Sequence, residues 1–172
     1  MPLPERPTPR LLLDAADFNR IQSWSAGHPW ADAAVSGILS RADRWPEDHN
    51  DKYGLSSWEL PPEGGQWTLW YVCPDHGVSL VYQGPGRNVC PVDGRNFTGW
   101  PYDQVIYSWR HGDSSRAARD LGLAYRLTGD ASYAAEAAAI LLAYADAYQG
   151  YPLHDINGGQ ASSGARATAQ TL

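Results

Sequence analysis

Two short turns carry the residues of this 172-residue chain whose types and spacing could do chemistry. Cys73-Pro74-Asp75-His76-Gly77 and Cys90-Pro91-Val92-Asp93-Gly94 are near-copies, and they hold both cysteines of the sequence. Together they read C-x2-H-x13-C-x2-D, which makes Cys73, His76, Cys90 and Asp93 a candidate ligand set. A CPxxG turn is a knuckle that points side chains at a metal, and zinc accepts thiolate, imidazole and carboxylate in a closed tetrahedron. Asp93 is the departure, because a zinc ribbon would place a third cysteine there. A carboxylate is a harder ligand, so the expected affinity is lower. Two other readings stand beside zinc. Cys73 and Cys90 could form a disulfide, which needs an oxidising compartment. Alternatively, Pro, Gly and hydrogen bonds hold the turns without any metal. A zinc filled by four protein ligands would be structural, since no position is left for a substrate. No organic cofactor is expected.

The elements that must position these turns follow from pattern. Residues 67–72 and 78–82 are β-branched and aromatic and read as short strands, with Gly84-Pro85-Gly86 as the turn after them. A small β insert over residues 67–99 is therefore expected between helical regions. Ahead of it, Asp14 caps a helix carrying Phe18, Ile21 and Trp24. Pro29 opens a second helix that ends near Trp45-Pro46, and residues 47–66 read as a surface loop. Behind the insert the chain is helical from Tyr102, with Asp113 capping a helix over 114–127. Thr128-Gly129-Asp130 then stops it and caps the next. That last helix, ASYAAEAAAILLAYADAY, carries only Glu136 and Asp146 as charges between Tyr133 and Tyr148. A helix apolar all round is buried from more than one side, so two helical layers are expected, with Ala138 and Leu141 both inside. The closing ARATAQTL reads as the opening of a further helix, as in a fragment of a longer protein.

Composition narrows the function classes. Apolar content of 43% and charged content of 19% are globular values, and the length suits one domain, here 1–172. Net charge is −6 with no block of Lys or Arg, which argues against a nucleic-acid partner. No apolar run reaches membrane-spanning length, and MPLPERPTPR lacks the apolar stretch of a secretory signal. The expected location is cytoplasmic, or the chain has been trimmed. Aromatic usage is skewed to 8 Trp and 10 Tyr against 2 Phe, a choice that suits wet, partly apolar ligands such as sugars. No phosphate-cradling glycine motif, nucleophile elbow or HExxH is present.

Several segments occur in a telling order: TPRLLLDAADFNRI, YVCPDHG with CPVDGR, ARDLGLAYRLTGDASYAAEAAAILLAYADAY, YPLHDINGG and AQTL. In this the chain resembles the N-terminal part of the heparinase II/III-like polysaccharide lyases, a group that includes oligo-alginate lyases. The resemblance implies helical hairpins forming part of an incomplete (α/α) toroid. It also implies β-elimination on a uronic-acid polysaccharide or oligosaccharide. In that reaction a base removes the C5 proton, a neighbouring group neutralises the uronate carboxylate, and an acid serves the departing C4 oxygen. The family's Asn-His pair and catalytic Tyr would lie beyond Leu172, so no residue here is assigned as base or acid. Candidate cleft-lining groups are His154, Asp155, Arg166 and Gln170, with Trp109-Arg110-His111 as a further polar-aromatic cluster. The reading from another class is a non-catalytic helical carbohydrate-binding or scaffold domain stapled by zinc.

Overall fold

A computed structural model describes residues 13–152. They form a mainly helical fold with a small antiparallel sheet. Helix α1 (Ala15–Gly27) starts at a capping box: Asp14 accepts from the Asp17 N–H at 3.0 Å, and Asp17 accepts from the Asp14 N–H at 2.9 Å. Helix α2 (Pro29–Asp43) carries Pro29 in its first turn, where a missing N–H costs nothing. Residues 47–66 are not a plain surface loop. They open with α3 (Glu47–Tyr53), whose acidic first turn suits the helix dipole and whose His49 and Tyr53 are buried together, one turn apart. Further on, Gly65 lies so close to the following helical region that a Cβ would stand 2.5 Å from Ser108 Cα. Only glycine fits there.

The β insert forms, but with fewer strand residues than its composition suggests. Thr68–Trp70 is a 3₁₀ turn, because the N–H groups of Trp70 and Tyr71 bond back to the carbonyls of Trp67 and Thr68. Trp67, Leu69 and Trp70 are all exposed, so the inside–outside alternation of a strand is missing. Val72 and Ser79 make a single bridge, and the sheet proper is β1 (Val81–Tyr82), β2 (Asn88–Val89) and β3 (Asn96–Phe97) in that order. Val89 pairs with Val81 on one side and Asn96 on the other.

Helix α4 (Tyr102–Thr128) runs without interruption through Asp113, where the sequence predicts the cap of a new helix. The Asp113 carboxylate does not cap. It accepts from Arg116 one turn on, and from Lys52 and the Tyr53 hydroxyl, and these last two long-range partners outweigh its local preference. Gly129 (φ +76°) ends α4, and Asp130 caps α5 (Ala131–Ala147) by accepting from the Ser132 N–H at 2.9 Å. The two helices form a hairpin in which Leu121 and Ala124 meet Ala137 and Ile140, with Ala42 of α2 closing the cluster. Here the expectation of burial all round fails. Ala138 is exposed, and Leu141 and Leu142 are 60% and 63% exposed. Within residues 13–152 only one side of α5 is covered.

A second core joins the insert to the helices: Tyr71, Cys73, Leu80 and Cys90 pack with Tyr53 of α3 and Val105 and Ile106 of α4. No helix among the described residues is long and apolar enough to cross a membrane.

Candidate metal centre

The two turns fold identically. The Gly77 N–H reaches the Cys73 carbonyl at 2.8 Å, and the Gly94 N–H reaches the Cys90 carbonyl at 2.9 Å. On the return, the Cys73 N–H donates to Val78 and the Cys90 N–H to Arg95, both at 2.8 Å. Gly77 and Gly94 take φ of +64° and +74°, the left-handed conformation that a side chain resists. This explains why each near-copy ends in glycine. Arg95 pairs with Asp75 across the two turns, joining one knuckle to the other. Beneath them, buried Asn88 accepts from the Tyr71 hydroxyl at 2.7 Å. Its amide donates to the Phe97 carbonyl at 2.9 Å and to Asp103 of α4 at 2.8 Å. That pin fixes the insert to α4.

Cys73, His76 and Cys90 thereby converge, with one ligand atom from each lying within 4.8 Å of the others. They are close enough to bind a metal. Both cysteines are free and fully buried, and each sulfur is 3.4 Å from His76 Nδ1. Zinc–sulfur and zinc–nitrogen bonds of ~2.3 and ~2.0 Å put two ligand atoms of a tetrahedron about 3.5 Å apart, so this spacing fits an ion. Asp93 stands slightly off. Its Oδ2 is 3.9 Å from His76 Nδ1, against about 3.4 Å for a tetrahedral edge, and its Oδ1 accepts from the Arg95 N–H at 3.0 Å. The structure thus gathers three of the four expected ligands tightly and leaves the fourth beside them.

The electrostatics of the two thiols differ. For Cys73, burial pushes the thiol up, but hydrogen bonding with His76 and Cys90 outweighs it and holds the group below its ordinary value. Burial dominates at Cys90 and raises it. The Arg95 N–H holds the Asp93 carboxyl below its ordinary value. A thiol held below its ordinary value beside a carboxylate held below its own is a fitting donor set for a divalent cation.

The other candidates are dispersed. His154, Asp155, Arg166 and Gln170 lie outside the described residues. The Trp109-Arg110-His111 cluster sits on α4 and serves packing: Trp109 Nε1 donates to Thr68 Oγ1, and Arg110 Nη2 donates to the Glu59 carbonyl. His111 is buried, with Nε2 3.0 Å from the Glu63 carbonyl and Nδ1 2.7 Å from the Tyr144 hydroxyl. A carbonyl only accepts, so Nε2 carries the proton and Nδ1 accepts from Tyr144. Asp75 and Arg95 belong to the quoted knuckle segments, but their pairing with each other, and the role of Asn88, are not visible locally, since each matters through a partner from another segment.

Comparison of the chain with protein-family models, curated proteins and solved structures finds no match.

Proposed function

We propose that this chain supplies the helical amino-terminal part of a polysaccharide lyase that cleaves a uronic-acid polymer by β-elimination. The resemblance of its ordered segments to the heparinase II/III-like lyases gives the reaction class. The structural observation that supports it best is the α4–α5 hairpin, whose outer face presents Leu141 and Leu142 to solvent. An exposed apolar stripe on a regular helix calls for another layer, as successive hairpins of an incomplete (α/α) toroid would supply. In this reading the knuckles hold one structural zinc through Cys73, His76 and Cys90, with Asp93 turning in as the fourth ligand. The ion ties the two turns together and supplies no step of the reaction.

β-Elimination breaks the C5–H and C4–O bonds and leaves a C4=C5 double bond, so the product absorbs in the near ultraviolet. The longer protein should therefore gain absorbance on heparan-type or alginate oligosaccharides, while residues 1–172 alone should not. A longer protein that stays inert across that panel would sink the lyase reading. A non-catalytic sugar-binding domain would then lead, and one observation already favours it. Trp70 and Trp100 are both exposed, with ring centroids 5.9 Å apart, and offer a stacking surface of the kind sugars use.

A further inference from the structure

Opposite charges in this acidic chain are not mixed at random where α2, α3 and α4 meet. A cleft of about 240 Å³ opens there, and Arg41, Lys52, Arg116 and Arg119 stand around it. Its acids lie underneath. Asp113 is 19% exposed and is bridged by Lys52 at 2.6 Å and Arg116 at 2.5 Å. Asp120 is 5% exposed and is bridged by Arg41 at 2.6 Å and Arg119 at 2.8 Å. The four cations are 52–62% exposed. The arrangement is layered, with carboxylates on the floor and cations at the rim. Asp48, the remaining acid of the cleft, already pairs with Arg44. Arg41 binds its aspartate through Nε and Arg116 through one Nη2, so their other N–H groups meet no acceptor among the described residues. A guanidinium fork with free donors suits a carboxylate.

We infer that this cleft is a binding subsite for the carboxylates of an acidic polysaccharide. The underlying aspartates fix the cations in place beforehand, so little side-chain freedom is lost on binding. The subsite would hold a uronan chain through charge: its four cations outnumber the two aspartates beneath them and Asp48 is paired with Arg44, so the rim is locally positive in a chain of net charge −6. This inference rests on the uronan reading for its ligand class. It does not need the chain to turn anything over.

The test is binding by the whole chain to fluorescein-labelled alginate oligosaccharide, followed by anisotropy, with dextran sulfate, neutral dextran and poly(U) as comparison ligands. Alginate should bind, neutral dextran should not, and affinity should fall about tenfold or more between about 50 and about 500 mM salt. A Lys52→Gln/Arg119→Gln variant leaves each of the two aspartates one cation, through Arg116 and Arg41, so the fold is kept. It should weaken alginate binding about tenfold. Arg20→Gln/Arg87→Gln removes the same charge from distant exposed sites and should change affinity less than twofold. Equal loss in both double variants, or no loss in either, overturns the subsite. Preference for dextran sulfate or poly(U) over alginate overturns the carboxylate assignment. Alginate binding at this rim by a longer protein that makes no unsaturated product would sink the lyase reading and leave the subsite standing. Turnover with unchanged binding in the cleft variant would do the reverse.

Discussion

Asp93 is the residue on which the candidate metal centre turns, because it alone of the four candidate ligands is out of place. Its carboxylate needs to move about half an ångström to complete a tetrahedron, and doing so competes with the Arg95 N–H that it now holds at 3.0 Å. Replacing it by the softer thiolate ligand should remove both handicaps. Protein purified without chelator should carry close to one zinc per chain, and Asp93→Cys should raise zinc affinity about tenfold or more in competition with a chromophoric chelator. His76→Ala should lose the ion, since it removes the group that both sulfurs face. Metal-free protein with two freely titrating thiols would show instead that Pro, Gly and backbone bonds alone shape the turns.

Among the elements, α5 shows where sequence pattern informs and where it stops. The capping box at Asp14, Pro29 at a helix start and Gly129-Asp130 between helices are local devices, and the structure uses each as its chemistry dictates. The paired knuckles were legible for the same reason. What failed depended on partners far along the chain. Asp113 reads as a helix cap because nothing local reveals that Lys52 and Tyr53 will claim the aspartate. Residues 47–66 looked like loop because α3 is short and its buried face is only His49 and Tyr53. The all-apolar circumference of α5 records what the helix tolerates around it, not what covers it within residues 13–152. The consequence is measurable. In this chain Ile140→Ala should cost about 2–5 kcal/mol in denaturant unfolding, while Ala138→Glu should stay within about 0.5 kcal/mol. In a longer protein with a second helical layer, Ala138→Glu should become strongly destabilising. A large loss for Ala138→Glu in this chain would mean that α5 is already covered on that side.

At the scale of the whole molecule, two buried histidines tie stability to pH. His111 links α4, α5 and the Glu63 segment, and His49 packs its ring against Trp45 and Tyr53 at 5.0 and 4.8 Å. Burial is the main cause that lowers both below the ordinary value of 6.5. The Glu63 carbonyl pulls His111 partly back, and Arg110 pushes both further down. Asp113 acts in opposition around His49, and Lys52 adds to the lowering. A histidine whose folded value is depressed stays neutral in the folded chain but takes a proton once unfolded. Below 6.5 the unfolded state therefore binds more protons, and stability must fall as pH falls through that value towards the folded one. The aspartates add to the trend at lower pH. Asp113 is held below its ordinary value by Lys52, Arg116 and Tyr53 against the opposing effect of burial, so protonating it forfeits those bonds. Thermal unfolding should accordingly show a plateau at neutral pH, a first decline beginning near pH 6.5, and a steeper one in the carboxylate range. His111→Gln, read in the presence of chelator to exclude zinc release, should lower the plateau and flatten the first decline. A wild-type profile that is flat from neutral pH down to the carboxylate range would show that both imidazoles charge as easily folded as unfolded, and would contradict the buried setting of the two rings.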